Sequence, residues 1–296
     1  MATEITEPGV YDLPAEIYHG DPVPAGSLSS GGARKLLPPS CPAKFRWWAD
    51  HGQDPKPEFD FGHAAHLEVL GAGIPVQVID VDDWRTKAAK EQLAAARAAG
   101  RTPVKTEQWE TVQAMAAALR EHPEASALFE PGTGLAEQSL FWPDGEFGVW
   151  RRARPDWLPH WRRHDGTMVI PDYKTCVSAN PPDLEKAMVA HGYDQQAAWY
   201  LDAVAAVLGE PQVEFVFVFQ EKVPPFVVSV MVPDIVAVRR GRLRNRLALG
   251  LFRDCRERGV WPGYVEGVGS LLLPRWVENE FDAEVERGVY DVAPNR

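Results

Sequence analysis

Three β-rich segments follow one another along the chain without a helix between them, and this order limits the possible folds more than any other feature. The segments are LAEQSLFW, GVWRRARPDWL and TMVIPDYKTC, which lie between residues 134 and 176. Asp-Gly pairs at 144–145 and 165–166 separate them, and such pairs favour tight turns between strands. The segments therefore predict a three-strand meander. They argue against a doubly wound fold, in which a helix follows each parallel strand.

Helices are expected on both sides of this meander. Residues 82–101 and 106–128 are rich in Ala, Glu, Lys, Arg and Gln, which favour helix, with a break at Pro123. After the meander, a helix from about 182 to 208 precedes the strands QVEFVFVFQ and PFVVSVMVP, and a last helix covers 234–258. The predicted fold class is therefore α/β, with a mixed central sheet of the meander and two further strands flanked by helices.

No linker that would divide the 296 residues is visible in the sequence. We expect one domain with a mostly helical portion over 1–130, an α/β core over 134–258 and a C-terminal extension over 259–296. No apolar run approaches the ~18 residues of a membrane span, and the N-terminal MATEITEPGVYDLP lacks the apolar core of a secretory signal. A cytoplasmic protein is therefore expected.

Charge and cysteine content exclude two classes of protein. Lys and Arg number 31 against 42 Asp and Glu, a net charge of −11, so the chain is not globally basic as histone-like proteins are. A local basic groove is compatible with this total, because electrostatic steering depends on the charge distribution. Cys41, Cys176 and Cys255 form no CxxC pair, which excludes a zinc ribbon or finger. We expect them to be small buried hydrophobic residues.

Two aspartates and a lysine form the main candidate site. Asp156 lies at the end of one predicted strand and Asp172 in the next, and neighbouring strands lie ~4.8 Å apart, so both carboxylates can converge on one cation. Asp172 and Lys174 point to the same face of their strand. Carboxylates that hold Mg²⁺ beside an ammonium group are what metal-assisted phosphodiester hydrolysis requires. Each residue alone is common, but a charged triplet that interrupts an apolar strand indicates a function or a partner.

A histidine pair lies upstream. A loop is expected over 53–58 and a helix from about Gly62, in which His63 and His66 lie one turn apart. His66 is interpreted either as a hydrogen-bonded core residue or as a metal ligand, and the pair could form half of a zinc site. Ligation requires a neutral imidazole, so activity that depends on His66 should fall as the pH drops toward ~6.5.

A polar face is expected on the helix that follows the acidic site. Tyr193, Gln196 and Tyr200 are spaced i, i+3 and i+7, and they share one face of a helix. Either the two tyrosines pack as part of an amphipathic helix, or Gln196 and Tyr200 present polar groups to a phosphate backbone or to the metal shell.

Taken in order, GHAAH, RPDWL, DYKT and the Gln196-xxx-Tyr200 helix resemble the motifs of the PD-(D/E)xK nuclease superfamily. More narrowly, the chain resembles the RecB-like branch and the phage and prophage exonucleases of the RecE type (exodeoxyribonuclease VIII). The resemblance extends over residues 17–264 and includes the segments IYH, SLSSGGARKLL, CPAKFRWW and CRERGVWPGY. It implies a restriction-endonuclease-like core.

The resemblance also implies roles for individual residues. The implied metal ligands are His66, Asp156, Asp172 and the carbonyl of Tyr173. Lys174 is implied to be the catalytic lysine, and Glu137 an auxiliary acid. Gln196 and Tyr200 are implied to support the site or the DNA end.

Two arginine clusters bear on DNA binding. The first surrounds the acidic site, where a scissile phosphate would lie, and we expect it to bind DNA. Its members are Arg151, Arg152, Arg154, Arg162 and Arg163. The second lies on the last helix and is either a solvated face or part of the interface. Its members are Arg239, Arg240, Arg242, Arg244, Arg246, Arg253, Arg256 and Arg258.

By the same resemblance, the protein is expected to be a Mg²⁺-dependent deoxyribonuclease, with Mn²⁺ able to substitute, that acts as a double-strand-end exonuclease in phage-type DNA recombination. The expected partners are double-stranded DNA ends and a RecT-type single-strand annealing protein, in a homo-oligomer such as a ring and without a membrane. Relatives with an iron–sulfur cluster need four cysteines, so three cysteines predict no cluster. Two alternatives stay open: a structure- or sequence-specific endonuclease of the same fold, and a catalytically idle DNA-binding or assembly protein.

Overall fold

The computed structural model describes residues 3–52 and 57–291, which form two compact units, one up to Trp261 and one from Pro262 onward. The helices are α1 (Ala15–His19), α2 (Ser30–Leu36), α3 (Pro42–His51), α4 (Pro57–Leu70), α5 (Lys87–Ala98), α6 (Thr106–Glu121), α7 (Pro123–Leu128), α8 (Pro181–His191), α9 (Tyr193–Leu208), α10 (Ile235–Arg258) and α11 (Arg275–Glu286). The strands are β1 (Gly9–Tyr11), β2 (Ser27–Ser29), β3 (Val76–Ile79), β4 (Thr102–Lys105), β5 (Gly134–Ala136), β6 (Ser139–Pro143), β7 (Trp150–Ala153), β8 (Trp157–Pro159), β9 (Met168–Cys176), β10 (Val213–Glu221) and β11 (Val228–Met231).

The α/β class and the mixed sheets expected from the sequence are confirmed. A three-stranded sheet has the order β11-β10-β9, in which β10 runs parallel to β9 and antiparallel to β11. A four-stranded sheet has the order β1-β6-β7-β2, with β2 parallel to β7 and the other neighbours antiparallel. Two-stranded pairs join β3 with β4 and β5 with β8. Helices α8 and α9 connect β9 to β10, because a parallel pair needs a long crossover.

The segments of the expected meander are strands, but they belong to different sheets. The second segment breaks at Pro155, so that β7 pairs with β6 whereas β8 pairs with β5. Proline has no amide hydrogen for the ladder, so it is confined mainly to edge strands, strand ends and bulges. The third segment, β9, pairs with β10. The prediction of one contiguous meander is therefore corrected.

The helices follow the sequence pattern, with two differences. Helices α5, α6, α7 and α10 lie within the predicted stretches, and the proline break between α6 and α7 is confirmed. The helix expected over 182–208 divides at Gly192, whose φ of 67° is left-handed and favours glycine. Helix α4 begins at Pro57, earlier than Gly62, and the part of the expected loop at 53–56 lies outside the described residues.

The three-stranded sheet carries a hydrophobic core on each face. On one face Met168 and Ile170 pack in a cluster with residues of α9 and α10. On the other face Val169 and Tyr173 pack in a cluster with residues of α4, α6 and α7. Because side chains alternate along a strand, Asp172 points to the first face, toward α9, and Tyr173 to the second face, toward α4. This alternation sets the geometry of the acidic site.

The cysteines are free, and two of them match the expectation of burial. Cys41 and Cys255 are buried, whereas Cys176 at the end of β9 is partly buried against the first core.

The second unit contains α11, which has no buried residue. Within this unit the ring of Phe281 lies 5.5 Å from the ring of Tyr290. Over the described parts of the chain, no helix combines the length and the apolar character needed to cross a bilayer.

Candidate metal centre

His66, Glu137 and Asp156 converge at the edge of the fold's core. Each offers one ligand atom, and these atoms lie within 4.8 Å of one another. His66 Nδ1 lies 3.5 Å from Asp156 Oδ2. Two carboxylate oxygens and one imidazole nitrogen are a donor set that suits a divalent cation such as Mg²⁺ or Mn²⁺. His63 is exposed, so the choice of His66 over His63 made from the sequence agrees with this geometry.

Glu137 enters the cluster through an unusual backbone conformation. Its φ of 55° lies in the left-handed region, which residues other than glycine rarely adopt. Its amide donates to the Asp156 carbonyl at 3.1 Å, which continues the β5–β8 pairing by one residue. The side chain pairs with Arg154, whose guanidinium also donates to the Leu13 carbonyl at 2.8 Å. A strained residue held in this way next to a ligand cluster points to a functional constraint.

Asp172 lies beside the cluster and faces the catalytic lysine predicted from the sequence. It is fully buried, and its carboxylate forms an ion pair with Lys174. Its Oδ1 accepts a hydrogen bond of 2.7 Å from Gln196 Nε2 on α9. Asp156 Oδ2 accepts a hydrogen bond of 2.7 Å from the amide of Tyr173. Because Tyr173 follows Asp172 in β9, this bond holds Asp156 next to Asp172. The structure thus groups Glu137 with His66 and Asp156, whereas the sequence resemblance placed Asp172 in that group.

Burial and the neighbouring charges set the protonation of the carboxylates and of the lysine. Burial raises the pKa of Asp172 to about 7 and that of Asp156 to about 6, although the Lys174 ammonium opposes both shifts. Burial acts against the charge of Lys174, but Asp172 and Asp156 outweigh it, so the pKa of the ammonium is raised. Lys174 is therefore charged at neutral pH.

Burial, assisted by the Lys174 charge, lowers the pKa of His66 to about 4. The imidazole is therefore neutral, and able to bind a metal, well below the ~6.5 of an unperturbed histidine. In the metal-free protein the buried carboxylates take up protons before His66 does, and the fall of activity as the pH drops toward ~6.5 stays a prediction.

Gln196 and Tyr200 lie on the same face of α9 but have different roles. Gln196 reaches the site through its bond to Asp172. The Tyr200 hydroxyl is buried and donates to the Arg154 carbonyl at 3.0 Å, so that it holds the strand end that precedes Asp156. Gln196 thus contacts an acid of the candidate site, whereas Tyr200 is buried and bonded to the backbone, and their roles toward a metal or a phosphate backbone stay predictions.

The first arginine cluster is neutralised within the fold. Each guanidinium contacts a carboxylate, and the pairs are Arg151 with Asp144 and Asp202, Arg152 with Asp21, Arg154 with Glu137, Arg162 with Glu210 and Arg163 with Glu214. Arg151 and Arg152 are also buried, and Arg151 lies 4.1 Å above the ring of Trp199. Internal acids therefore balance the charge of this cluster in the DNA-free protein, and its binding to DNA stays a prediction.

The buried Gln220, which the sequence analysis did not single out, supports the site through Tyr173. The Tyr173 hydroxyl donates to Gln220 Oε1 at 2.7 Å, and Gln220 Nε2 donates to the Met115 carbonyl at 2.7 Å. These bonds fix the ring of Tyr173, which packs edge-on against the ring of His66 at 5.2 Å. A polar residue at the end of the apolar run VEFVFVF was the signal that could have identified Gln220.

A family model described as a PDDEXK-like domain of unknown function (DUF3799) matches residues 41–271. No match to the sequence was found among curated proteins.

Among solved structures, the fold is similar to the crystal structure of a "putative exonuclease" from Eubacterium rectale, with a TM-score of 0.59 and 10% sequence identity. The alignment covers 91% of this chain and 98% of that chain, so the likeness extends over nearly the whole of both folds. A second structure, that of SSO0001, aligns at a TM-score of 0.29 and 15% identity over 64% of this chain and 84% of that chain. That score is too low to indicate a common fold.

Proposed function

Because this chain belongs to the family of PDDEXK-like domains of unknown function, we propose that it is a metal-dependent nuclease that hydrolyses phosphodiester bonds in DNA. The observation that carries the proposal is the convergence of His66, Glu137 and Asp156 beside the Asp172–Lys174 pair. Burying charged groups is costly unless they are paired or bind a metal. Three metal-binding side chains next to a buried ion pair therefore indicate a site for a cation.

The residues of the site have complementary parts in this reaction. A divalent cation held by the three donors would neutralise phosphate charge and acidify a water molecule. The charged Lys174 would donate to the oxygen on which negative charge develops in the transition state. Asp172 keeps the ammonium in place, and Gln196 keeps Asp172 in place through its bond of 2.7 Å. We propose Mg²⁺ as the ion, with Mn²⁺ able to substitute, because two of the three donors are hard carboxylate oxygens.

We further propose that the enzyme is an exonuclease that degrades double-stranded DNA from its ends during phage-type recombination. The sequence resemblance to RecE-type enzymes favours this specificity, and so does the name of the Eubacterium rectale protein, which has the same fold. A RecT-type annealing partner, a homo-oligomeric assembly and a cytoplasmic setting belong to the same proposal.

Cleavage of matched linear and covalently closed circular duplexes tests the proposal. With Mg²⁺, the protein should release nucleotides from the linear duplex and leave the closed circle intact, and EDTA should stop the release. Cutting of the closed circle would identify an endonuclease instead. Binding of both duplexes without any cleavage in Mg²⁺ or Mn²⁺ would identify a catalytically idle DNA-binding protein.

A further inference from the structure

Three cations lie together in the fold and, among the described residues, contact only neutral groups; we call Arg34, Lys35 and Arg244 the cationic path. Arg34 on α2 donates to the His191 carbonyl. The Arg244 guanidinium on α10 donates to Gln195 Oε1 and to the Pro38 carbonyl, both at 3.0 Å. Lys35 Nζ lies 3.8 Å above the ring of Trp48. These contacts orient the three side chains and leave their positive charges uncompensated.

Other arginines on α10, close to Arg244, form ion pairs with acids. On α10, Arg240 pairs with Asp194, Arg242 with Asp202 at 3.0 Å, and Arg246 with Glu146. Ion pairing on α10 therefore differs from one arginine to the next, and Arg244 is among those with no acidic partner in the described part of the chain.

Arg34 and Arg244 meet at the junction of α8 and α9, and Lys35 follows Arg34 on α2. A Cβ atom built on Gly192 would lie 2.6 Å from Arg34 Cδ and 3.8 Å from Gln195 Oε1, the oxygen to which Arg244 donates. Arg34 and Arg244 thus flank the same glycine. Burial and the adjacent Arg34 charge lower the pKa of Lys35, which is the effect expected where like charges are gathered without an acid.

The cationic path begins close to the catalytic lysine. Tyr193 follows Gly192, and its ring packs against the rings of Phe217 at 5.2 Å and Phe219 at 5.7 Å. Phe219 is the register partner of Lys174 in the β9–β10 pair. Both Arg34 and Lys174 act electrostatically on the Tyr193 hydroxyl, so both cations lie near this tyrosine.

We propose that the cationic path binds the sugar–phosphate backbone of the DNA substrate adjacent to the cleaved bond, an inference that rests on the proposed function. Phosphates bind Arg and Lys side chains in any sequence, and such contacts position a duplex on its enzyme. A chain with a net charge of −11 repels DNA over most of its surface, so a few uncompensated cations beside the site decide where the backbone lies.

The salt dependence of DNA binding tests this proposal. Binding of a fluorescent blunt duplex is followed by anisotropy in EDTA, which prevents metal-dependent cleavage, over a series of KCl concentrations. The triple variant Arg34→Gln, Lys35→Gln, Arg244→Gln should bind more weakly. The slope of its log Kd against log salt should be smaller by roughly 2.7, about 0.9 for each phosphate that is no longer neutralised. Arg246→Gln, on the same helix but paired with Glu146, should keep the wild-type slope.

Two further variants distinguish a loss of phosphate contacts from a loss of folding. Arg34→Lys combined with Arg244→Lys keeps the charges and should keep the slope. Lys35→Gln alone removes an ammonium that rests on the Trp48 ring and should lower the slope by about 0.9. An unchanged slope in the triple variant, or in Lys35→Gln if the triple variant does not fold, would overturn the cationic path. A wild-type protein that neither binds nor cleaves DNA would instead overturn the proposed function itself.

Discussion

At the residue scale, the proposed chemistry depends most directly on Lys174. Its side chain is about one-fifth exposed and touches Asp172, so removing it creates little empty space in the core. We expect Lys174→Ala to lower the single-turnover rate of DNA cleavage by more than tenfold, which is a loss of about 1.4 kcal/mol or more of transition-state stabilisation. Lys186→Ala is the matched control, since Lys186 is a largely exposed lysine paired with Asp183. Retention of more than a tenth of the wild-type rate would contradict the role of Lys174.

Glu137 is the residue whose place in the site differs most from the sequence expectation. If it is a metal ligand, Glu137→Gln should weaken Mn²⁺ binding at least about tenfold, because loss of even an outer partner of a metal ligand costs about 10–100-fold. Isothermal calorimetry without DNA measures this affinity. Asp156→Asn should behave in the same way, and Glu130→Gln, an exposed acid in the preceding loop, should have no effect. Unchanged affinity in Glu137→Gln would leave Glu137 outside the metal shell.

The raised pKa of Asp172 predicts how stability changes with pH. In the metal-free protein the pKa rises from 3.8 in the unfolded chain to about 7 in the fold, so the folded state holds an extra proton between these values. The corresponding stability is present below pH 4 and is lost as the pH rises through about 7. Asp172→Asn carries no such charge, so its free energy of unfolding relative to wild type should increase from pH 5 to pH 8. Urea denaturation in EDTA measures this difference. A difference that stays constant from pH 5 to pH 8 would contradict a raised pKa of Asp172.

Residue types and motif order predicted part of the candidate site. The remaining features depend on contacts between segments that are distant in the sequence. The charged triplet in an apolar strand singled out Asp172 and Lys174, and the family resemblance singled out His66 as a candidate ligand. The sequence could not predict the left-handed backbone at Glu137, which arises from pairing with the end of β8. The ion pairs of the arginine cluster could not be predicted either, because several of the pairing acids lie far away along the chain. One example is Asp202, which contacts Arg151 across 51 residues.

At the scale of elements, the site depends on the close crossing of α9 and α10. A Cβ atom at Gly241 on α10 would lie 2.0 Å from the Asp194 carbonyl oxygen on α9, so only glycine fits. Gly241→Ala should lower the free energy of unfolding by about 3 kcal/mol, because two backbones would have to separate. Gly31→Ala, whose Cβ would meet no atom within 4 Å, should leave it unchanged or raise it by up to about 1 kcal/mol. Equal unfolding free energies of the two variants in urea would contradict this packing.

Helix periodicity and proline positions predicted most elements, whereas strand partners were not predictable from local sequence. The break between α6 and α7 follows from a proline, and α10 begins at the N-cap Asp234, where the pattern placed it. The pairing of β9 with β10 joins segments that are separated by two helices, and no local signal marks it. Pro155, which splits β7 from β8, was visible, but its effect depends on which strands lie on either side.

At the scale of the whole molecule, an acidic protein is proposed to act on a polyanion. Most positive charge near the core is balanced internally, and the three residues of the cationic path are an exception beside the site. The metal would supply the remaining positive charge, since His66 is neutral and the carboxylates are negative once they lose their protons. Binding of DNA and binding of the metal should therefore reinforce each other.

Nucleotide release from a blunt linear duplex by protein stripped of metal, before and after addition of Mg²⁺, tests the central claim most directly. We expect no release in EDTA, full recovery when Mg²⁺ is returned to the wild-type protein, and no recovery in Glu137→Gln at the Mg²⁺ concentration that restores wild type. Release that continues without a divalent ion, or wild-type protein that stays inactive on every DNA substrate when Mg²⁺ or Mn²⁺ is supplied, would contradict a metal-dependent nuclease built on His66, Glu137 and Asp156.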